Sequence, residues 1–206
     1  AHEIRNPLTV VKGFLEFYKE DPAINKDMER HLTLMVDELN TAEHVISKFL
    51  TIAKPTSDPK KEKVNVKETL EGITDLLKSY GLLYDKELRL EVNDNCFIYV
   101  NKIEFKQLVI NLIKNAIEAS NNGQMISVEA KNKKKTVDFK IIDNGCGMSE
   151  EELKSLGTPF YSLKSKGTGL GIMICYNIVE KNNGSITFHS KEGEGTIVTL
   201  QFPHSK

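Results

Sequence analysis

The sequence predicts an α+β chain in two parts, a helical hairpin followed by a two-layer sandwich of helices on a mostly antiparallel sheet. Three observations carry this reading. Apolar residues recur with steps of four and three from Ile4 to about Ala53. A polar, proline-marked stretch then interrupts the pattern between Lys54 and Lys63. Beyond it, short strand patterns exchange places with helical ones as far as Phe202.

In the first part, Ile4, Leu8, Val11, Leu15 and Tyr18 mark one helix. After a break at Asp21–Asn25, Met28, Leu32, Met35, Leu39, Ala42, Ile46, Phe49 and Ala53 mark a second. Four-three spacing is the seam of a coiled coil, so the two helices are expected to pack as an antiparallel hairpin. One hairpin buries only one side of each stripe and two bury all of it, which predicts a dimeric four-helix bundle. Lys54–Pro55 ends the second helix, and Thr56–Lys63, with Pro59, reads as a linker. Residues 1–58 are thus one expected domain and residues 59–206 the other.

In the second part, helices are expected at Val66–Ser79, Lys102–Ser120 and Leu170–Lys181. Strands are expected at Glu87–Val92, Phe97–Val100, Ile126–Lys131, Val137–Ile142, Ser185–Ser190 and Thr196–Phe202, with Asn132–Lys135 as a lysine-rich hairpin tip.

Composition narrows the function classes. With 206 residues, 39% hydrophobic content and a net charge of −1, the chain is of ordinary globular make-up. Near-balanced charge argues against a nucleic-acid footprint. No apolar run approaches the roughly 20 residues that span a bilayer, so no membrane contact is expected of these residues. Cys96, Cys146 and Cys175 have no metal-ligand spacing and read as free thiols. Because Ala1 directly precedes the first motif, the sequence reads as an excerpt of something longer.

Five motifs point to chemistry. His2-Glu3-Ile4-Arg5-Asn6-Pro7-Leu8-Thr9 places His2, Glu3 and Asn6 off the apolar seam. An exposed imidazole is mostly neutral at pH 7 and can act as a nucleophile, with the adjacent carboxylate as its acid/base helper. Pro7 is expected to kink the helix just beyond. By itself this is more readily an ordinary surface histidine near a helix start. Gln107 to Glu118 carries Asn111, Lys114, Asn115 and Glu118 as a polar strip on an apolar helix. Asparagine forms helices poorly, and its amide oxygen suits Mg²⁺; the plain alternative is a solvated face. Asp143-Asn144-Gly145-Cys146-Gly147-Met148 follows a strand, where a carboxylate can accept from an exocyclic amine such as that of adenine. Gly145 and Gly147 would let a flat ligand approach; the same residues also make a plain turn. Thr158 to Gly171 ends in Gly167-Thr168-Gly169-Leu170-Gly171 before a helix, the setting of a phosphate site, with Lys164 and Lys166 on the approach. It is neither a Rossmann fingerprint nor a Walker A loop. Gly193-Glu194-Gly195-Thr196 is a hairpin turn by itself.

In order and spacing, these motifs resemble the H, N, G1, F, G2 and G3 boxes of sensor histidine kinases, over nearly the whole chain. Among these, the first box and the Gly-Thr-Gly-Leu-Gly segment look most like sporulation sensor kinases of endospore-forming bacilli. The resemblance implies that His2 is phosphorylated from ATP, with Glu3 as acid/base helper and Asn6 orienting a hydrolytic water in a phosphatase reaction. It implies that Asn115 ligates Mg²⁺, with Asn111 and Lys114 near the phosphates. Asp143 would hold the adenine amine, Gly145 and Gly147 would shape that pocket, Lys164 with Gly167, Thr168, Gly169, Leu170 and Gly171 would form a lid, and Thr196 would be a further ATP-binding residue.

The implied fold is a dimerisation and phosphotransfer bundle plus an ATP-binding sandwich of the gyrase, chaperone and histidine kinase (GHKL) type. Implied partners are a second copy, a response-regulator receiver domain that takes the phosphoryl group onto aspartate, and a small protein inhibitor at the bundle. A cytoplasmic location is implied, the full-length protein being held at the membrane by an N-terminal sensor region. Rival readings are a GHKL-type ATPase, a mitochondrial-type protein serine kinase on the same sandwich, and a nucleotide-binding scaffold without phosphorelay. An exposed His-Glu on a heptad hairpin argues against the first two, and the intact His2, Asn115 and Asp143 against the third.

Overall fold

A computed structural model of the chain describes residues 2–19, 21, 24–53, 60–162 and 168–204, with the backbone alone for residues 2–7, 41 and 43–53. The chain divides into two compact units, Ala1–Ser57 and Asp58–Lys206.

In the first unit, α1 (His2–Lys19) and α2 (Lys26–Ala53) pack against each other. Leu32 is buried and Leu8, Leu15, Val36 and Leu39 are half-buried, so one side of each stripe is used. Val11, Phe14, Tyr18, Met28, Leu34 and Met35 remain exposed on the hairpin. Val11, Leu15, Leu34, Met35, Glu38 and Leu39 line an apolar groove between the helices.

The second unit runs β1 (Glu62–Asn65), α3 (Val66–Leu83), β2 (Glu87–Val92), β3 (Phe97–Val100), α4 (Lys102–Ala119), β4 (Met125–Asn132), β5 (Thr136–Asp143), α5 (Glu150–Ser155), α6 (Gly171–Lys181), β6 (Ser185–Lys191) and β7 (Gly195–Pro203). Its main sheet has the order β2-β4-β5-β7-β6, with β2 parallel to β4 and every other pairing antiparallel. β1 and β3 form a separate antiparallel pair.

Alternation builds the core. Val137, Phe139 and Ile141 of β5 and Val198, Leu200 and Phe202 of β7 face inward, where Leu108, Leu112 and Ile113 of α4 are buried with them. Phe105 of α4 meets Phe139 and Phe202 edge-on at 6.2 and 5.9 Å between ring centroids. The same alternation makes Asp143 and Thr196, at the ends of the inward rows, the buried polar members of those rows. The opposite face is polar and carries the Arg89–Glu91 and Lys131–Glu129 pairs.

Two elements depart from expectation. The presumed linker through Lys63 runs too far, because Glu62–Asn65 pair with β3. Its only apolar residue is Val64, 2% exposed, so no alternation was visible. The unexpected α5 buries none of its residues and has no apolar periodicity; its signature is a capping box between Ser149 and Glu152. In addition, α3 continues to Leu83, four residues past the expected end. Among the described residues, no helix is long and apolar enough to cross a membrane.

Candidate functional site

Asp143 closes β5, and the strand's alternation carries its carboxylate inward, leaving it 5% exposed. A buried carboxylate needs donors. Its Oδ1 accepts from the Gly145 N–H at 2.9 Å and from the Thr196 N–H at 3.2 Å. Thr196 is the register partner of Asp143 on β7, and Ser190 is the partner of Thr196 on β6. Directly paired residues share a sheet face, so the three side chains stand in one row. Ser190 Oγ donates to the Gly195 carbonyl at 2.9 Å and lies 2.9 Å from the Thr196 hydroxyl.

The turn after β5 is fastened at both ends. The Cys146 N–H donates to the Ala119 carbonyl at 3.0 Å, and the Cys146 carbonyl accepts from the Gly193 N–H at 2.7 Å. A Cβ at Gly145 would lie 2.3 Å from the Ala119 oxygen, and one at Gly147 would lie 1.9 Å from the Lys191 oxygen. On sequence these glycines are expected to admit a flat ligand. In the structure, what comes this close to both is the protein's own backbone.

Ala119 is the last residue of α4, so this contact brings the Asp143 turn to the helix that bears the polar strip. Asn111, Lys114 and Asn115 are half-buried and Glu118 is exposed. The Lys114 ammonium lies 4.3 Å from the centroid of the Tyr80 ring, and the Tyr80 hydroxyl donates to Glu118 at 2.8 Å. Burial, then hydrogen bonds with Tyr84 and Glu118, push the Tyr80 phenol up, which keeps it a donor. On the α6 side, the Cys175 thiol lies 4.0 Å from the Leu108 carbonyl. Burial pushes this thiol up to about 12, against a smaller opposing effect of a hydrogen bond with Asn111.

The N-terminus of α6 differs from those of its neighbours. Asn65, Asn101 and Ser149 cap α3, α4 and α5 with their side chains. Leu170 gives α6 no side-chain cap, and its first turn holds no acidic residue. Its first N–H groups can therefore meet an anion, which the helix dipole favours. Thr168, Gly169, Leu170 and Gly171 lead straight into this end, with Leu170 buried. Lys164 and Gly167 lie outside the described residues, as do the side chains of His2, Glu3 and Asn6, whose backbone belongs to α1.

The second unit thus offers a buried carboxylate beside a hydroxyl, an amide-bearing strip, and a helix end open to anions. Sequence reasoning missed Tyr80 and Ser190. Tyr80 lay one residue beyond the expected end of its helix at Ser79. Ser190 could have been found by pairing β6 with β7 outward from the Glu192–Glu194 tip.

Residues 100–206 match the family model described as histidine kinase-, DNA gyrase B- and HSP90-like ATPase, and residues 1–58 match the His Kinase A phospho-acceptor domain. The chain belongs to the histidine kinase family. This kinase core is 37% identical over 206 residues to the sensor protein DegM of Bacillus sp. strain B21-2, covering 100% of this chain and 53% of DegM. It is 38% identical over 205 residues to sporulation kinase B of Bacillus subtilis strain 168, covering 98% of this chain and 48% of that protein. The kinase core therefore spans about half the length of these curated relatives. Full-length ShkA, solved in complex with AMPPNP, shares the fold at a TM-score of 0.80 and 17% identity, over 99% of this chain and 45% of ShkA.

Proposed function

We propose that this kinase core binds ATP in its second unit and transfers the γ-phosphoryl group to His2 for relay to a receiver aspartate. Residues 1–58 would form the dimerisation and phosphotransfer domain and residues 59–206 the ATP-binding domain. The observation that carries the reading is the buried Asp143 carboxylate, held by Gly145 and Thr196 in a turn fastened to the end of α4.

In this reading Asp143 accepts from the adenine amine, with Thr196 beside it. The open N-terminus of α6, reached through Thr168–Gly171, receives phosphate oxygens, while Lys164 and Gly167 belong to the covering segment. Asn111 and Lys114 lie toward the phosphates. Asn115 fits a hard cation, since a half-buried amide on this strip offers an oxygen ligand. It would hold Mg²⁺, which when bound would neutralise charge on the phosphates.

Transfer then needs little covalent help from the protein. An imidazole nitrogen of His2 bonds to the γ-phosphorus, the bond to the bridging oxygen breaks, and ADP leaves with that oxygen. Glu3 takes the imidazole proton. A carboxylate oxygen of the receiver later displaces the imidazole, which takes its proton back from Glu3. In the separate phosphatase reaction Asn6 orients the water that attacks the receiver's acyl phosphate and releases inorganic phosphate.

Pairing of two hairpins would cover the exposed Val11, Met28 and Met35. Kinship with sporulation kinase B favours a sporulation phosphorelay as the setting. A small protein inhibitor at the hairpin and an N-terminal sensor region that holds the full-length protein at the membrane complete the reading.

The test is incubation with γ-labelled ATP. Acid-labile label should remain on the wild-type chain and be absent from His2→Gln, which still binds ATP. If His2→Gln labels at a comparable rate, His2 is not the acceptor, and His31 and His44 become the candidates. The label should pass to a cognate receiver and not to one whose acceptor aspartate is alanine. Release of label only as free phosphate would mean an ATPase instead.

A further inference from the structure

We propose that Ser190 is a specificity-setting positioning residue, which fixes the Thr196 hydroxyl as an acceptor and so makes the base end of the site select an amino over an oxo group. The proposal rests on the reading of the Asp143 end as the base site.

A serine hydroxyl has one proton to give and two lone pairs. Ser190 Oγ gives its proton to the Gly195 carbonyl at 2.9 Å, a partner that can only accept. The Thr196 hydroxyl lies 2.9 Å from the same Oγ, so the proton between the two hydroxyls belongs to Thr196. With that proton spent on Ser190, Thr196 Oγ1 can only accept from anything bound beside it. Its neighbour in the row, Asp143, is a carboxylate and also only accepts. The backbone donors near this row are already engaged, since the Gly145 and Thr196 N–H groups both bond to Asp143.

Asp143 and Thr196 thus present acceptors side by side. An exocyclic amine brings two protons and satisfies both. A 6-oxo purine brings an acceptor to the same place and meets acceptors there, which is costly at a site where Asp143 is 5% and Thr196 8% exposed. Removing the Ser190 hydroxyl frees the Thr196 proton, and the threonine can then turn to donate to an oxo group. Ser190 need not touch the ligand to have this effect.

The experiment compares ATP with inosine triphosphate, which carries oxygen in place of the amine, by titration calorimetry on the full chain. Wild type is expected to prefer ATP. In Ser190→Ala the preference should shrink by about fivefold or more, the scale of one neutral hydrogen bond. Ser190→Thr keeps the hydroxyl and should keep the preference, a rescue that a general packing role would not give. Thr196→Val removes the acceptor itself and should lower the preference by an independent route, which serves if Ser190→Ala is too unstable to titrate. A preference unchanged in Ser190→Ala, or in Thr196→Val where that variant serves, overturns the proposal. So does wild-type binding of the two nucleotides with equal affinity. Failure of wild type to bind either nucleotide overturns the base-site reading on which it rests.

Discussion

Asp143 accepts from the backbone N–H of Thr196 across two strands whose register sets these residues opposite each other. The bond is 3.2 Å long, and a second one from Gly145 reaches the same oxygen. Because both donors belong to the backbone, the chemistry of residue 143 can be changed while its anchorage is kept.

Asp143→Asn should therefore leave the fold nearly as stable as before, since an amide oxygen can accept both bonds. Replacing a carboxylate oxygen with NH₂ puts a donor toward the bound amine. Loss of one charge-assisted hydrogen bond should cost about 1.5–3 kcal/mol of ATP binding, on the order of tenfold to a hundredfold. Titration calorimetry reads the affinity and a thermal melt checks the fold. Unchanged affinity would remove Asp143 from base recognition.

Gly145→Ala should destabilise the second unit by about 1–3 kcal/mol, because its Cβ would fall 2.3 Å from the Ala119 oxygen and backbone must move. Gly72 of α3 is the control, with nothing within 4 Å of a Cβ built there. Gly72→Ala should stabilise by about 0.5–1 kcal/mol through helix propensity. Urea titration of both variants measures the contrast, and equal midpoints would contradict the close approach at Gly145.

The thiols should separate by reactivity. Cys146 is exposed, whereas Cys96 and Cys175 are buried. Burial raises both buried thiols, Cys175 from an ordinary 9.0 to about 12. Brief alkylation of the folded chain should modify Cys146 alone, and ATP should slow it, because Cys146 sits between the two glycines of the Asp143 turn. Mass spectrometry counts the adducts. A thiol whose folded pKa is raised favours the folded state below its unfolded value. Stability should therefore fall as pH rises from about 9.0 toward 12, through the contribution of Cys175.

How much of this was legible in the sequence depends on what each element buries. The seam of α1 and α2, the β5–β7 alternation and the α4 stripe were readable because apolar residues recur at the period of their element. β1 and α5 were not, having one buried apolar residue and none. Asp143 was found by its place at a strand end. Its link to Thr196 and Ser190 was hidden because register, not spacing along the chain, makes that row. Tyr80, over whose ring the Lys114 ammonium lies, was missed because the expected helix stopped at Ser79.

Asn6→Ala should preserve labelling of His2 and slow dephosphorylation of the receiver by about a hundredfold, the scale on which misplacing a reactant acts. Asn6 follows His2 by one turn of α1, which suits it to the receiver side of the reaction. Phosphatase and autokinase rates on one preparation decide the matter. Equal loss of both would make Asn6 a structural residue of α1.

The 53-residue separation of Asp143 from Thr196 has a consequence for how the chain is made. β5 gains one neighbour, β4, almost at once through a tight hairpin, but its other neighbour, β7, is synthesised much later. On the ribosome, the hairpin of α1 and α2 relies on contacts within its own length, while the central sheet must wait for β7. During that wait the open edge of β5 leaves unpaired the backbone groups that β7 will meet, and Phe105 of α4 lacks its edge-on partner Phe202. Slowing translation between Asn144 and Gly195 should therefore lower the yield of soluble protein more than the same delay placed within α2.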